Sequence, residues 1–439
     1  MADYLKQPRQ PDHDENQAIR DVVSEILSAV EREGITAVRR YSERFDGWSP
    51  KRFSVTPEVV DAAIDDLAPE VRGAMDFAIE QVTTFARMQR NSLNDLEVET
   101  LPGVRLGHRH IPVEAVGSYS PGGRYPLLAS SIMTIAVPKV AGVRRIVACA
   151  PPTARRGIYG PQLAAMALAG ADQIICVGGA HGLAAMAFGI EELEPVDMVV
   201  GAGNAYVAEA KRQLFGTVGI DLLAGPTEIL VLADETADPL LIASDLLAQG
   251  EHGPTSPLTL VTTSVRLARE VEQTIGELLA TWPTADVARQ AWNDCGSIVV
   301  CANDDEMVTV ADSFAPEHLE VHTADPLWFL DRLGCYGSLF LGAEATVAFG
   351  DKGIGTNHVL PTGRAARYTG GLWVGKFLKT VTYQVVTDEG LHRVVPPIAT
   401  ICDAERMEGH AISARVRLDR LLGLATTTKH SRPEGVSPE

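Results

Sequence analysis

The chain has 439 residues, 46% of them hydrophobic and 22% charged, enough apolar material for a substantial core split into two or more domains. The 57 acidic and 38 basic side chains leave a net charge of −19 with no basic cluster, so a nucleic-acid partner is not expected. The opening MADYLKQPRQPDHDENQ lacks the apolar core of a secretory signal and no later stretch is apolar for the length of a membrane span, so a cytoplasmic protein without membrane contact is expected.

Ile19, Val22, Val23, Ile26, Leu27 and Val30 recur at helical spacing and Gly34 interrupts them, which predicts one long helix or two over residues 15–47. Pro57 and Glu58 open a further helical stretch, and another runs through Phe77, Ile79, Val82, Phe85 and Met88. From about residue 100 short apolar runs alternate with glycine-rich turns and helical stretches: VEAVGSYSPGG, RRIVACAPP, QIICVGGA, VDMVVGAGN, EILVLADET, LTLVTTS, SIVVCAN and GSLFLG. That rhythm predicts parallel α/β sheets covered on both faces. After Pro361 the pattern turns helical again, and residues 426–439 form a polar tail expected to be disordered.

The 6 cysteines never form Cys-x-x-Cys, so neither a disulfide framework nor a thiolate metal site is expected. Cys149 and Cys176 lie inside strand-like runs and read as small core residues. The dinucleotide fingerprint Gly-x-Gly-x-x-Gly is missing. Three glycine-rich turns stand at predicted strand ends instead: Tyr119-Ser-Pro121-Gly122-Gly123, Gly178-Gly179-Ala-His181-Gly182 and Gly201-Ala-Gly203-Asn204. Glycine there lets backbone amides approach a phosphate or ribose, although each turn by itself is only a tight turn.

Gln249 and His252 close a predicted helix in Ala-Gln249-Gly-Glu-His252-Gly, where their spacing puts both on one face. An amide oxygen beside an imidazole nitrogen makes half a metal site. Downstream come Glu317-His318, then Asp351 with Asn357-His358, then Glu405 and His410. A single histidine of this kind is more often structural than a ligand; the set points to a metalloenzyme dispersed along the chain.

These segments together resemble the histidinol dehydrogenase superfamily, whose signature runs Gln-x-Glu-His-Gly, Glu-His-Leu-Glu, Gly-Asp-x-x-x-Gly-x-Asn-His-x-Leu-Pro-Thr and a C-terminal His five residues after a Glu. The resemblance covers about residues 20–425. It implies an α/β fold of two incomplete Rossmann-like domains, one inserted in the other, with a helical N-terminal region and a small C-terminal arm that crosses to the partner in a homodimer. Mapped here, residues 1–19 form an N-terminal arm, 20–118 and 229–373 a discontinuous domain with the metal site, 119–228 the inserted NAD domain, and 374–425 the exchanged arm.

The resemblance further implies Zn2+, replaceable by Mn2+ or Co2+, on Gln249, His252, Asp351 and His410, the last from the partner subunit. It implies NAD contacts at Tyr119, Pro121, His181 and Asn204, although the family commonly has Gln at the position of His181 and Gly-Pro-Gly-Asn where this chain has Gly-Ala-Gly-Asn. Thr227, His358 and Glu405 fall where the family holds the substrate's polar end. His318, as a neutral imidazole of ordinary pKa, is expected to be the base for the alcohol proton, and Glu317 to activate water on an aldehyde. The activity implied is a zinc- and NAD-dependent alcohol dehydrogenase carrying a small alcohol to the acid, with a stop after two electrons left open.

The stretch Ala365-Ala-Arg367-Tyr-Thr-Gly-Gly-Leu-Trp373-Val-Gly-Lys376-Phe-Leu-Lys379, the Asp3-Tyr4-Leu5-Lys6 opening and the Arg-Tyr-x-x-x-x-Asp-Gly-Trp segment at 40–48 resemble catabolic paralogues of the family, such as sulfopropanediol 3-dehydrogenases. A 2,3-dihydroxypropanesulfonate-like diol is therefore the expected substrate, with L-histidinol as the alternative. A zinc-binding regulatory protein on an enzyme scaffold is the remaining class, and the retained Glu317-His318 pair argues against it.

Overall fold

The computed structural model describes residues 3–9, 15–122, 125–153, 156–191 and 193–424, so the expected tail at 426–439 lies outside the described residues. The chain divides into two compact units, Met1–Asn91 with Pro112–Phe377, and Ser92–Ile111 with Leu378–Glu439. The fold is mixed α/β, as expected.

Strand β1 (Asp3–Lys6) precedes α1 (Glu15–Glu33), α2 (Ile35–Asp46), α3 (Pro57–Asp65) and α4 (Pro69–Asn91). Gly34, at φ 57°, takes the left-handed backbone that parts α1 from α2, and Pro57 opens α3 where its missing N–H costs nothing. The hairpin strands β2 (Leu96–Leu101) and β3 (Val104–Pro112) come next.

The first sheet consists of β4 (Ala115–Tyr119), β5 (Arg145–Ala150), β6 (Gln173–Cys176), β7 (Met198–Val200) and β8 (Gly219–Ile220), joined through α5 (Leu128–Ala141), α6 (Gly160–Leu168), α7 (Gly179–Phe188) and α8 (Ala205–Leu214). All its pairs are parallel, in the order β6-β5-β4-β7-β8. The chain leaves the central β4 toward one edge and returns to build the other, so the order reverses between β4 and β7. Cys149 and Cys176 are free and buried in this sheet, as expected.

The second sheet holds β9 (Ile229–Ala233), β10 (Leu258–Thr262), β11 (Gly296–Val300), β12 (His318–His322) and β13 (Ser338–Leu341), connected by α9 (Pro239–Gly250), α10 (Val265–Leu278), α11 (Ala285–Cys295), α12 (Asp304–Phe314) and α13 (Pro326–Leu330), with α14 (Val347–Lys352) after β13. Its order is β1-β11-β10-β9-β12-β13, all parallel except the antiparallel edge β1. Apolar clusters cover both faces: Val231, Leu246 and Leu260 on one, Leu232, Val261 and Leu319 on the other. The second unit contains β2, β3, β14 (Leu378–Val386), α15 (Asp388–Ala404) and α16 (Glu408–Leu421), its sheet ordered β14-β3-β2. No helix among the described residues is long and apolar enough to cross a membrane.

Three sequence expectations need correcting. A boundary at 118/119 cuts β4, the middle strand of the five-stranded sheet. Residues 20–47 pack with that sheet rather than with 229–373, because the apolar stripe Val23, Ile26 and Val30 of α1 is buried in one cluster with Leu183 and Leu214 of α7 and α8. Residues 374–425 open with a 3-10 turn and the nine-residue strand β14, not with helix.

A buried ion pair fixes the third glycine turn. Lys211 on α8 pairs with Asp221 and donates to the Gly201 carbonyl at 2.8 Å, while the Gly201 amide donates to Asp221 Oδ2 at 2.8 Å. Lys211→Met would strand a buried carboxylate and is expected to cost about 3–5 kcal/mol. Urea unfolding measures this; an unchanged midpoint would show the pair to be dispensable.

Candidate active site

The polar residues collect at the amino-terminal edge of the six-stranded sheet, although open parallel sheets commonly use the opposite edge. His318 and Ile229 begin β12 and β9 in register, so Glu317 and the preceding Thr227-Glu228 leave the sheet side by side. Helix α9 runs back across the sheet and returns its last turn, with Gln249, to the same edge. Asp351 arrives from the end of α14, and His358 from the segment after it.

Glu317 is buried, and its Oε2 accepts from Thr227 Oγ1 at 2.6 Å and from the Glu228 amide at 3.0 Å. Gln249 Nε2 donates to Thr227 Oγ1, which closes a relay from α9 to Glu317. His318 Nδ1 lies 3.0 Å from the Glu228 carbonyl. A carbonyl only accepts, so Nδ1 carries the proton and Nε2 is the basic nitrogen of the neutral ring. The Gln249 amide nitrogen, 3.4 Å from the same Nδ1, is then a contact between two donors rather than a hydrogen bond. His318 Nε2 is buried without a hydrogen-bond partner; Asp351 Oδ1 stands 3.4 Å away, outside hydrogen-bond alignment.

Burial pushes Glu317 up to about 6, against the pull of His318, Thr227 and the Glu228 amide. Glu228 rises to about 7 through burial and the nearby Glu317 charge. Burial opposes a charged His318, yet Glu317 and Asp351 outweigh it and lift the ring to about 9. This differs from the expectation of an ordinary imidazole: two carboxylates, with neither charge cancelled, push the ring upward. Asp351 is itself buried, but His318, His358 and Lys352 hold it well below the usual carboxylate range.

The donor set on this chain suits a divalent cation. Burial, helped by Lys352, His318 and His358, brings His252 down to about 4, so its ring is neutral at pH 7. Gln249 spends its amide nitrogen on Thr227 and leaves its oxygen without a hydrogen bond among the described residues. Asp351 is ionised. A neutral imidazole, a free amide oxygen and a carboxylate are nitrogen and oxygen donors that zinc accepts, as Mn2+ also does.

His358 is fixed at both nitrogens, Nε2 2.8 Å from Ser130 Oγ on α5 and Nδ1 2.9 Å from the Asp351 carbonyl. Its neighbour Asn357 donates to the Met133 carbonyl at 3.3 Å. Ser130 and Glu228 are site residues that sequence reasoning did not assign. Glu228 follows Thr227 directly in Gly-Pro-Thr-Glu, and that adjacency was its only signal.

The glycine turns gather at the carboxyl ends of the five-stranded sheet, where its order reverses. Tyr119 ends β4 and its hydroxyl accepts from the Gly179 amide at 3.0 Å. The Pro121 carbonyl accepts from Gln162 at 2.9 Å, and Asn204 caps α8 by accepting from the Tyr206 and Val207 amides. Gly201 turns at φ 114° against Tyr119, where a Cβ would meet the Tyr119 carbonyl oxygen at 2.0 Å. His181 is buried with Nε2 3.2 Å from Asp46 Oδ2, so this ring already has a partner within the protein; Asp46 was not anticipated. Glu405 and His410 belong to the second unit, Glu405 at the end of α15 and His410 exposed in the first turn of α16.

Residues 9–418 match the family described as Histidinol dehydrogenase. The chain belongs to the histidinol dehydrogenase family. Among its relatives, a histidinol dehydrogenase homolog of Shouchella clausii is 50% identical over 96% of this chain and 99% of its own. A sulfopropanediol 3-dehydrogenase of Ruegeria pomeroyi is 45% identical over 95% and 96%. A histidinol dehydrogenase of Methanothermobacter thermautotrophicus is 41% identical over 90% and 92%. The crystal structure of histidinol dehydrogenase from Elizabethkingia anophelis superposes with a TM-score of 0.88 at 31% identity, covering 95% of each chain. This family member is a dehydrogenase with that enzyme's fold.

Proposed function

We propose that the protein is a zinc- and NAD-dependent dehydrogenase that oxidises the primary alcohol of a small polar diol resembling 2,3-dihydroxypropanesulfonate. The observation that carries the chemistry is the orphaned, buried Nε2 of His318, with Nδ1 anchored on the Glu228 carbonyl. Gln249, His252 and Asp351 would hold the metal, with His410 of a second subunit as fourth ligand. The metal would supply a Lewis acid that fixes the alcohol oxygen, and its charge on Asp351 would lower His318 toward neutrality. The glycine turns at Tyr119, Pro121, His181 and Asn204 would take the nucleotide; Thr227, His358 and Glu405 would hold the substrate's polar end.

In the first step His318 removes the hydroxyl proton while the carbinol carbon gives a hydride to NAD, leaving an aldehyde. Glu317, near neutrality, then takes a proton from water as the water adds to the aldehyde. The hydrate loses a second proton and hydride, and each alcohol gives one carboxylic acid and two NADH. The likeness in the Ala365–Lys379 stretch and the relative at 45% identity favour the diol. The relative at 41% identity keeps L-histidinol as second reading.

NADH release and products over a panel of L-histidinol, 2,3-dihydroxypropanesulfonate and related diols test the proposal. Two NADH and one acid per diol support it; turnover of L-histidinol alone selects the second reading. One NADH with a stable carbonyl product gives Glu317 another task, and no turnover of any alcohol favours a binding protein.

The exchanged homodimer belongs to the same proposal. Val381, Tyr383, Val385 and Val386 of β14 are exposed, an apolar strand suited to a partner surface. Inactive His410→Ala and inactive His318→Ala proteins, mixed with demonstrated subunit exchange, are expected to regain activity, since each heterodimer then has one intact site. No recovery would put His410 in its own subunit's site.

A further inference from the structure

Behind the catalytic edge, the face of β12 that carries His318 continues as Glu320 and His322, both buried. A buried polar row along a central strand is costly unless each group finds a partner. Glu320 Oε1 accepts from the Val347 amide at 3.0 Å, whereas its Oε2 and both ring nitrogens of His322 make no hydrogen bond; Oε2 and Nε2 only approach each other at 3.5 Å. Asp245, one helical turn before Gln249 on α9, uses Oδ1 to accept from Thr346 Oγ1 at 3.0 Å. One ligand atom from each of Asp245, Glu320 and His322 lies within 4.8 Å of the other two. A small closure brings three such atoms to the roughly 2.1 Å that a zinc ion requires. Asp245 is half-buried, which leaves a way in from its side.

We propose that Asp245, Glu320 and His322 form a second divalent-cation site, taking Zn2+ or Mn2+, that ties α9 to β12 and, through the hydrogen bonds of Thr346 and Val347 to its ligands, braces the start of α14. His322 follows His318 by four residues along the strand, about 13 Å. The ion therefore lies apart from the reacting atoms and its role is structural. Each braced element also carries catalytic-edge residues: Gln249 on α9, Asp351 on α14, His318 on β12. A cation would give Glu320 Oε2 and His322 a close partner, which their 3.5 Å approach to each other does not supply.

The test is metal content per chain after saturation with Zn2+ or Mn2+ and removal of free ion, compared among wild type, His252→Asn and His322→Gln. Two ions in wild type and one in each variant are expected, with the ion of His252→Asn still raising Tm. At most one ion, lost in His252→Asn and kept in His322→Gln, overturns the brace and leaves the catalytic assignment standing. One ion lost only in His322→Gln supports the brace and removes the catalytic metal. Should His322→Gln fail to fold, anomalous scattering from wild-type crystals soaked in Mn2+ decides: a peak among the three side chains is expected, and none there overturns the site.

Discussion

His318→Asn is expected to lower kcat for alcohol oxidation by about 10²–10⁴-fold, the usual worth of a positioned general base. Asparagine can still donate to the Glu228 carbonyl, which anchors His318 Nδ1 at 3.0 Å, but it offers no basic atom where Nε2 now lies. The neighbouring Glu317→Gln separates the two oxidations. Glutamine keeps an oxygen for Thr227 Oγ1 and the Glu228 amide, so the alcohol step persists, whereas aldehyde oxidation is lost with the water base. Removing the Glu317 charge also takes away the foremost influence raising His318, so the pH limb for the first step should move to lower pH. Stopped-flow NADH traces with alcohol and with aldehyde measure both effects. A Glu317→Gln enzyme that oxidises aldehyde at the wild-type rate would sink the assignment of Glu317.

Metal depletion should have an effect of similar size. Prolonged chelation is expected to reduce turnover to background, and Zn2+ or Mn2+ to restore it, because Gln249, His252 and Asp351 share no other means of holding the alcohol oxygen. Depletion should leave His318 more basic, since Asp351 regains its full influence on the ring. Full activity in protein verified metal-free would remove the ligand assignment. His252→Asn serves as a control in which the loss should not be reversed by added metal.

The sequence made the chemistry more legible than the architecture around it. Gln249 and His252 are three residues apart, although α9 ends at Gly250 and leaves His252 in the turn beyond it rather than on the expected helix face; Glu317-His318 and Asp351 lie in short motifs that need no long-range knowledge. Their meeting at one edge depends on the register of β12 with β9 and on the return of α9, which no local pattern encodes. The upward push on His318 has the same long-range origin: it comes from two carboxylates, one adjacent and one brought by α14. Strand β14 contradicts the helical pattern expected after Pro361, and its signal is the alternation of Val381, Tyr383 and Val385 with Thr380, Thr382 and Gln384. The hairpin β2–β3 has a signal of the same kind; Leu96 and Val98 alternate with Glu97 and Glu99 ahead of the Gly103 turn, but both strands are largely exposed. Asp46 beside His181 joins an N-terminal helix to a turn far along the chain, and only the folded packing of α2 on α7 brings them together.

Strand β1 pairs Tyr4 with Val299 and Lys6 with Ile298, with a bulge between the two pairs. In a growing polypeptide it leaves the ribosome long before β11 exists, so the border strand of the larger sheet emerges with a row of open amide and carbonyl groups. Until β1 docks, that row is a template for another chain. Once docked, β1 exposes charged Asp3 and a bulged backbone, features that discourage strand-to-strand association.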